Sequence, residues 1–116
     1  MRLRNTLAAA GGALALTAVL TAPAHAATGD FSYSYLGADG ARHSATLHDP
    51  ENGRCHTLPE VDSPATPPAF APHNSTDAYA KVFTEYNCGG SSWTLRPHGR
   101  PATDRLTLRS VIFLRA

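Results

Sequence analysis

Two cysteines, a scatter of histidines and a serine in a glycine-rich stretch are the residues of this 116-residue chain whose types could do chemistry. Cys55 and Cys88 are its only cysteines. In an exported chain such a pair is expected to be a Cys55–Cys88 disulfide, and an oxidising compartment works against the sharper reading of one thiol as a nucleophile. His43, His48, His56, His73 and His98 show none of the spacings that bring metal ligands together, so solvated surface histidines are the expectation. Ser91 stands in Gly89-Gly90-Ser91-Ser92-Trp93, where a nucleophile elbow would need Gly in place of Trp93 and a strand-to-helix setting. Asp39, Asp49, Glu51 and Glu85 fall in or beside turns, where solvation and turn hydrogen bonds account for them. Asn74-Ser75-Thr76 fits a glycosylation sequon and reads here as a turn. No catalytic residue, metal site or cofactor is expected, and the chain is read as a non-enzyme.

The export premise comes from the first 26 residues. Arg2 and Arg4 form a positive start, Leu7 to Leu20 is an apolar run, and Ala24-His25-Ala26 supplies a small-x-small cleavage step. The run is short for a membrane span and is followed by polar Thr28, Gly29 and Asp30, so 1–26 reads as a signal peptide and 27–116 as a secreted domain with no membrane anchor. Removing Arg2 and Arg4 leaves eight basic residues against nine acidic ones, a formal charge of −1. Nothing in that balance steers toward nucleic acid. Arg outnumbers Lys nine to one, which looks like the codon usage of a high-GC bacterium.

What remains is one domain with a thin core, burying only about 60–65% of its unfolded surface, and it needs the disulfide as a staple. Its elements read as strands and turns. Phe31, Tyr33 and Tyr35 alternate with polar neighbours and put three rings on one face of a strand; Asp39-Gly40 suits a tight turn; Ala45 and Leu47 resume the alternation, giving a hairpin over 31–48. Asp49 to Gly53 is a second turn cluster, followed by a short strand from Arg54 to Leu58. Five prolines between Pro59 and Pro72 exclude a central strand through Leu58–Pro68 and predict an ordered surface loop, with Phe70 as its candidate contact residue. Ala80 to Tyr86 and Trp93 to Leu95 form a second hairpin, residues 97–105 are an irregular polar loop, and Val111 to Leu114 close the chain as an apolar strand.

The second hairpin carries a resemblance. Phe83, six residues, Gly90, one residue, then Ser92 is similar to the Greek-key signature of βγ-crystallins, and Ser110-Val111 resembles the Ser-hydrophobic step of that motif's last strand. The physical demands agree, because a hairpin folded over its own sheet needs a residue that accepts positive φ, a ring to cover it and a hydroxyl to satisfy backbone groups in the turn. More loosely, Tyr33 and Gly40 repeat the aromatic-to-Gly spacing with Arg42 at the Ser position, and Asn74-Ser75-Thr76-Asp77 resembles the end of a first Greek key.

The resemblance implies an all-β Greek-key sandwich, one small disulfide-linked domain, related to secreted bacterial killer-toxin-like proteins and a metalloproteinase inhibitor. Many microbial members bind calcium through paired Asp/Asn residues before a Ser/Thr-Ser step. Here the residues before Ser110 are Arg105 to Arg109 and those before Ser75 are Phe70 to Asn74, with Asp104 one residue out of register, so no calcium site is expected. The function expected is a secreted monomer that binds an extracellular protein or cell-wall component as an inhibitor or toxin-like factor, through the Pro59–Pro72 loop and the 97–105 loop. The alternatives are a small extracellular hydrolase and a purely structural stress protein.

Overall fold

In the structure, a computed structural model, residues 25–116 are described; of the expected leader only His25 and Ala26 fall among them. The chain forms eight strands: β1 (Gly29–Leu36), β2 (Arg42–His48), β3 (Cys55–Thr57), β4 (Ala69–Thr76), β5 (Ala78–Phe83), β6 (Ser92–Leu95), β7 (Thr107–Leu108) and β8 (Ser110–Arg115). They form two antiparallel four-stranded sheets ordered β2-β1-β4-β7 and β3-β8-β5-β6. Each half of the chain keeps its first, second and fourth strands in one sheet and sends its third into the other. The exchange is reciprocal, with β3 beside β8 and β7 beside β4. Neither half can therefore bury its apolar face alone.

The first hairpin forms as its alternation requires, pairing Phe31 with Leu47 and Tyr33 with Ala45. Phe31, Tyr33, Ala78, Ala80, Val82, Val111 and Phe113 fill the space between the sheets, joined by Ala69, Leu108, Leu58 and Val61. Phe31 meets Phe113 edge-on at a centroid distance of 5.3 Å, an arrangement that matches ring edge to ring face.

The proline-rich segment ends earlier than its composition predicts. Pro59 opens a 3-10 turn (Pro59–Val61), and irregular backbone then runs only to Pro68, so Phe70 and Pro72 both lie inside β4. β4 is a central strand, between β1 and β7. It tolerates Pro72 because its register with β1 shifts between Ser32 and Ser34, with Ala71 at φ 52°, so the missing N–H falls where the ladder is already interrupted. The loop is tied down at both ends. Tyr33 Oη donates to Glu60 Oε1 at 2.5 Å, and burial beside this carboxylate pushes the phenol far above its usual range. The Arg109 guanidinium donates to the carbonyls of Val61, Ser63 and Thr66 at 2.9, 3.1 and 2.8 Å and lies 5.2 Å from the Tyr86 ring centroid.

Cys55 and Cys88 are joined in a disulfide that ties β3 to the turn after β5. Thr57 supports the same junction, its Oγ1 accepting from Asn87 N at 3.1 Å. Where β4 hands over to β5, buried Asn74 donates through Nδ2 to Ala78 O at 2.8 Å and Arg96 O at 2.9 Å, while its Oδ1 accepts from Thr76 Oγ1 at 2.7 Å. One side chain thus binds the ends of three strands together.

Candidate functional site

The β5–β6 hairpin folds back over its sheet through a set of hydrogen bonds that the sequence only partly announces. Gly90 has φ 78°, and a β-carbon there would meet Thr84 Oγ1 and come within 2.8 Å of Glu85 Cγ, so the expected need for glycine holds. Ser110 Oγ donates to Glu85 O at 2.6 Å and accepts from Cys88 N at 2.8 Å, locking the turn to the start of β8. The turn hydroxyl expected from Ser92 is supplied elsewhere: Thr84 Oγ1 accepts from Ser91 N at 3.0 Å, while Ser92 is exposed at the start of β6. Phe83 is half-buried on the outer face, with Lys81 Nζ 5.5 Å from its ring centroid.

In the first hairpin Gly40 has φ 74°, and Asp39 Oδ1 accepts from Ala41 N at 3.0 Å and faces His43 Nε2 at 3.1 Å. The Ala41 N–H and then His43 hold the Asp39 carboxyl below its usual range. Asn74-Ser75-Thr76 does not correspond to Ser110. Ser110 pairs with Phe83 beside its hairpin, whereas Asn74 and Ser75 pair with Phe31 and Asp30 at the opposite end of β1; Phe70, paired with Ser34, holds the nearer position.

The expected contact residues are engaged by the protein's own groups. Phe70 is half-buried and the Arg42 guanidinium lies 4.9 Å from its ring centroid, so this ring is covered by the protein's own cation. Arg42 also reaches Asp104, with Nη1 3.2 Å from Oδ2. The 97–105 loop runs along β4, His98 N, Gly99 N and Ala102 N donating to the carbonyls of Thr76, Asn74 and Pro72. The histidines are dispersed: His56 and His73 meet backbone carbonyls of Glu51 and Gly99, and His43 stacks on Tyr35. Among the described residues no group of three or more His, Cys, Asp or Glu side chains is arranged to hold a metal ion.

His48 is the exception in its electrostatics. Its Nδ1 lies 2.7 Å from Asp30 Oδ1 and its Nε2 3.3 Å from Asp49 Oδ2; the Asp30 hydrogen bond first, then the charges of Asp49 and Asp30, raise its pKa above the ordinary value of about 6.5. Because the folded value is the raised one, the pair's contribution is complete below the unfolded pKa and is lost as pH rises through the folded pKa. An imidazole proton titration should give a midpoint above that of a free histidine, and Asp30→Asn should bring it down. A midpoint indifferent to Asp30→Asn would show that the Asp30 carboxylate is turned to solvent.

A surface feature that the sequence does not single out lies at the edge of the sandwich. Trp93 pairs with Val82 across β5 and β6, and directly opposed residues share a face, so Trp93 belongs to the face whose other members, Val82 and Ala80, are fully buried. Yet Trp93 is 64% exposed. The strand at the matching edge of the other sheet, β7, is only two residues long, and it cannot cover a ring at this position. The result is an open groove of about 190 Å³ lined by Val82, Thr84, Ser91, Ser92, Trp93, Leu106 and Thr107. No charged residue lines it.

Comparison with family models, with curated proteins and with solved structures finds no match to this chain. Its site must be read from its own residues. The signal that could have found the groove is the alternation Ser92-Trp93-Thr94-Leu95, which puts Trp93 on the same face as the apolar Leu95.

Proposed function

We propose that this chain is a secreted, non-enzymatic Greek-key sandwich of the βγ-crystallin type that binds an extracellular protein or cell-wall partner, acting as an inhibitor or toxin-like factor. The reciprocal crossing of β3 and β7 between the sheets supports the fold assignment, together with Gly90 and Ser110 in the turn of the folded hairpin. The disulfide in so small a domain supports an oxidising, extracellular setting. The observation that carries the binding role is Trp93, a large ring left open on a face whose other members are core. Exposed aromatic anchors of this kind carry binding energy out of proportion to their number.

The test has two arms. The protein recovered from a bacterial culture medium should begin at Ala27 and be two hydrogens lighter than its fully reduced form; a product that retains the leader or titrates as free thiols would overturn the secretion reading. Immobilised domain should retain a component of culture supernatant or isolated cell walls, and Trp93→Ala should lose it with little change in melting temperature, because truncating an exposed side chain costs about 0.5 kcal/mol or less. Retention unaffected by Trp93→Ala would remove the anchor and with it the reading of this edge as the binding surface.

A further inference from the structure

We infer that Asn52-Gly53 is a self-modification site, an asparagine that converts to aspartate or isoaspartate once the Cys55–Cys88 bridge no longer holds β3 against β8. Of the four asparagines in the chain only Asn52 is followed by glycine. With no side chain on Gly53 to shield it, the amide nitrogen of that residue can reach the Asn52 side-chain carbonyl. The Gly53 nitrogen gives up its proton and attacks Asn52 Cγ; the new C–N bond closes a five-membered succinimide, and the side-chain nitrogen leaves as ammonia. Water then opens the ring at either carbonyl, leaving aspartate in a normal backbone or isoaspartate with one extra methylene in the main chain. The reaction consumes water and releases ammonia, with no change of oxidation state.

The fold holds this reaction shut. Gly53 N donates to Phe113 O at 2.7 Å, so the proton that must leave is committed to the carbonyl of a core residue. Asn52 bridges Phe113 in parallel and its own N donates to His25 O at 2.8 Å, while its Oδ1 is shut from solvent with no hydrogen-bond partner among the described residues. The His25 carbonyl belongs to the expected leader, so in the secreted chain the hold falls to the Gly53 bond and to Cys55, two residues on. Cys55 begins β3, an edge strand of three residues, and beyond the pairing with β8 it is the bridge to Cys88 that pins this strand. Such a strand opens before the core does, and chemistry that proceeds only from an opened state runs at the population of that state.

Either product keeps the site from closing again. An aspartate puts a charge where Oδ1 has neither a donor nor water, and the extra methylene of isoaspartate moves Gly53 out of line with Phe113 O just before the disulfide. Loss of the bridge is thereby recorded irreversibly in the chain. Asn52→Asp, which carries the first of these products, should melt below the wild type at neutral pH; an unchanged melting temperature would overturn the claim that conversion bars reclosure.

The experiment follows the tryptic peptide His43–Arg54 by mass in three samples incubated together at neutral pH: the oxidised protein, the protein reduced with a dithiol and alkylated at Cys55 and Cys88, and the synthetic peptide of the same sequence. Conversion changes the peptide's mass by the difference between OH and NH2, and chromatography separates isoaspartate from aspartate. The oxidised protein should convert at least about tenfold more slowly than the free peptide, and reduction should bring the protein within about threefold of the peptide's rate. Equal rates in oxidised protein and peptide would overturn the hold by the fold, and protection that survives reduction would overturn the bridge as its latch. Because the reduced protein can unfold as a whole, amide hydrogen exchange in the oxidised protein separates local from global opening. Gly53 should exchange at least about tenfold faster than the amides that pair β5 with β8. Exchange at the same rate would show that the site opens only with the whole domain, and would overturn the inference.

Discussion

Replacing Cys55 and Cys88 together by alanine is expected to lower stability by about 3–4 kcal/mol, the loop-closure entropy released when a cross-link over a separation of 33 residues is removed. For a domain of this size that corresponds to a fall in melting temperature of roughly 15–25 °C. The effect is large because of where the bridge sits. β3 is a three-residue strand held in its sheet only by pairing with β8, and the turn at Tyr86–Cys88 has Asn87 and Cys88 at φ 53° and 56°. Without the bridge, a short strand and a strained turn must hold each other by the Asn87–Thr57 hydrogen bonds alone. Thermal unfolding of the oxidised, the reduced and the doubly substituted protein measures it. Coincident curves would mean that β3 is secured by its packing, with Leu58 as the anchor.

The second large effect is expected at Asn74. Asn74→Ala removes two short hydrogen bonds from Nδ2 and leaves the carbonyls of Ala78 and Arg96 without that donor in the interior, a loss of about 3 kcal/mol. The chemistry can be separated from the cavity by Asn74→Asp. At neutral pH a carboxylate would face two carbonyl oxygens with no proton to offer, so this variant should be less stable at pH 7 than at pH 4, where a protonated carboxyl can donate to one of them. Chemical denaturation of the wild type and both variants at the two pH values decides it. If Asn74→Asp gains nothing on acidification relative to wild type, water has entered the junction and the hydrogen bonds are not what holds it. Because Asn74 is 1% exposed and engaged through both amide atoms, the folded sequon offers no nitrogen to a glycan.

Much of the local structure is legible in the sequence because it rests on local rules. The alternation of Phe31, Tyr33 and Tyr35 fixes one face of β1, the positive φ at Gly40 and Gly90 falls where turns need it, and two cysteines in the chain leave one pairing. The departures fall where a neighbour suspends a local rule. Pro72 by itself argues against a strand, but the register shift between Ser32 and Ser34 of β1 removes the need for its N–H. Spacing points to Ser92 for a role that Thr84 performs, because which hydroxyl reaches the turn depends on how far the hairpin folds back.

Dihedral preference and period-two burial act within a few residues, and they are enough to make this chain all-β, to place the turns of its two hairpins and to leave one pairing of its cysteines. The pairing of β3 with β8 and of β7 with β4 lies beyond their reach. These strands have three and two residues, too few to show a period, and their places are set by whichever arrangement buries both sheets at once. Arg109 has the same dependence on long-range packing, because the carbonyls it gathers lie 43 to 48 residues away. So does the groove. Trp93 has the composition and parity of a core residue, and it is open because the strand that would cover it, in the other sheet and from another part of the chain, has only Thr107 and Leu108.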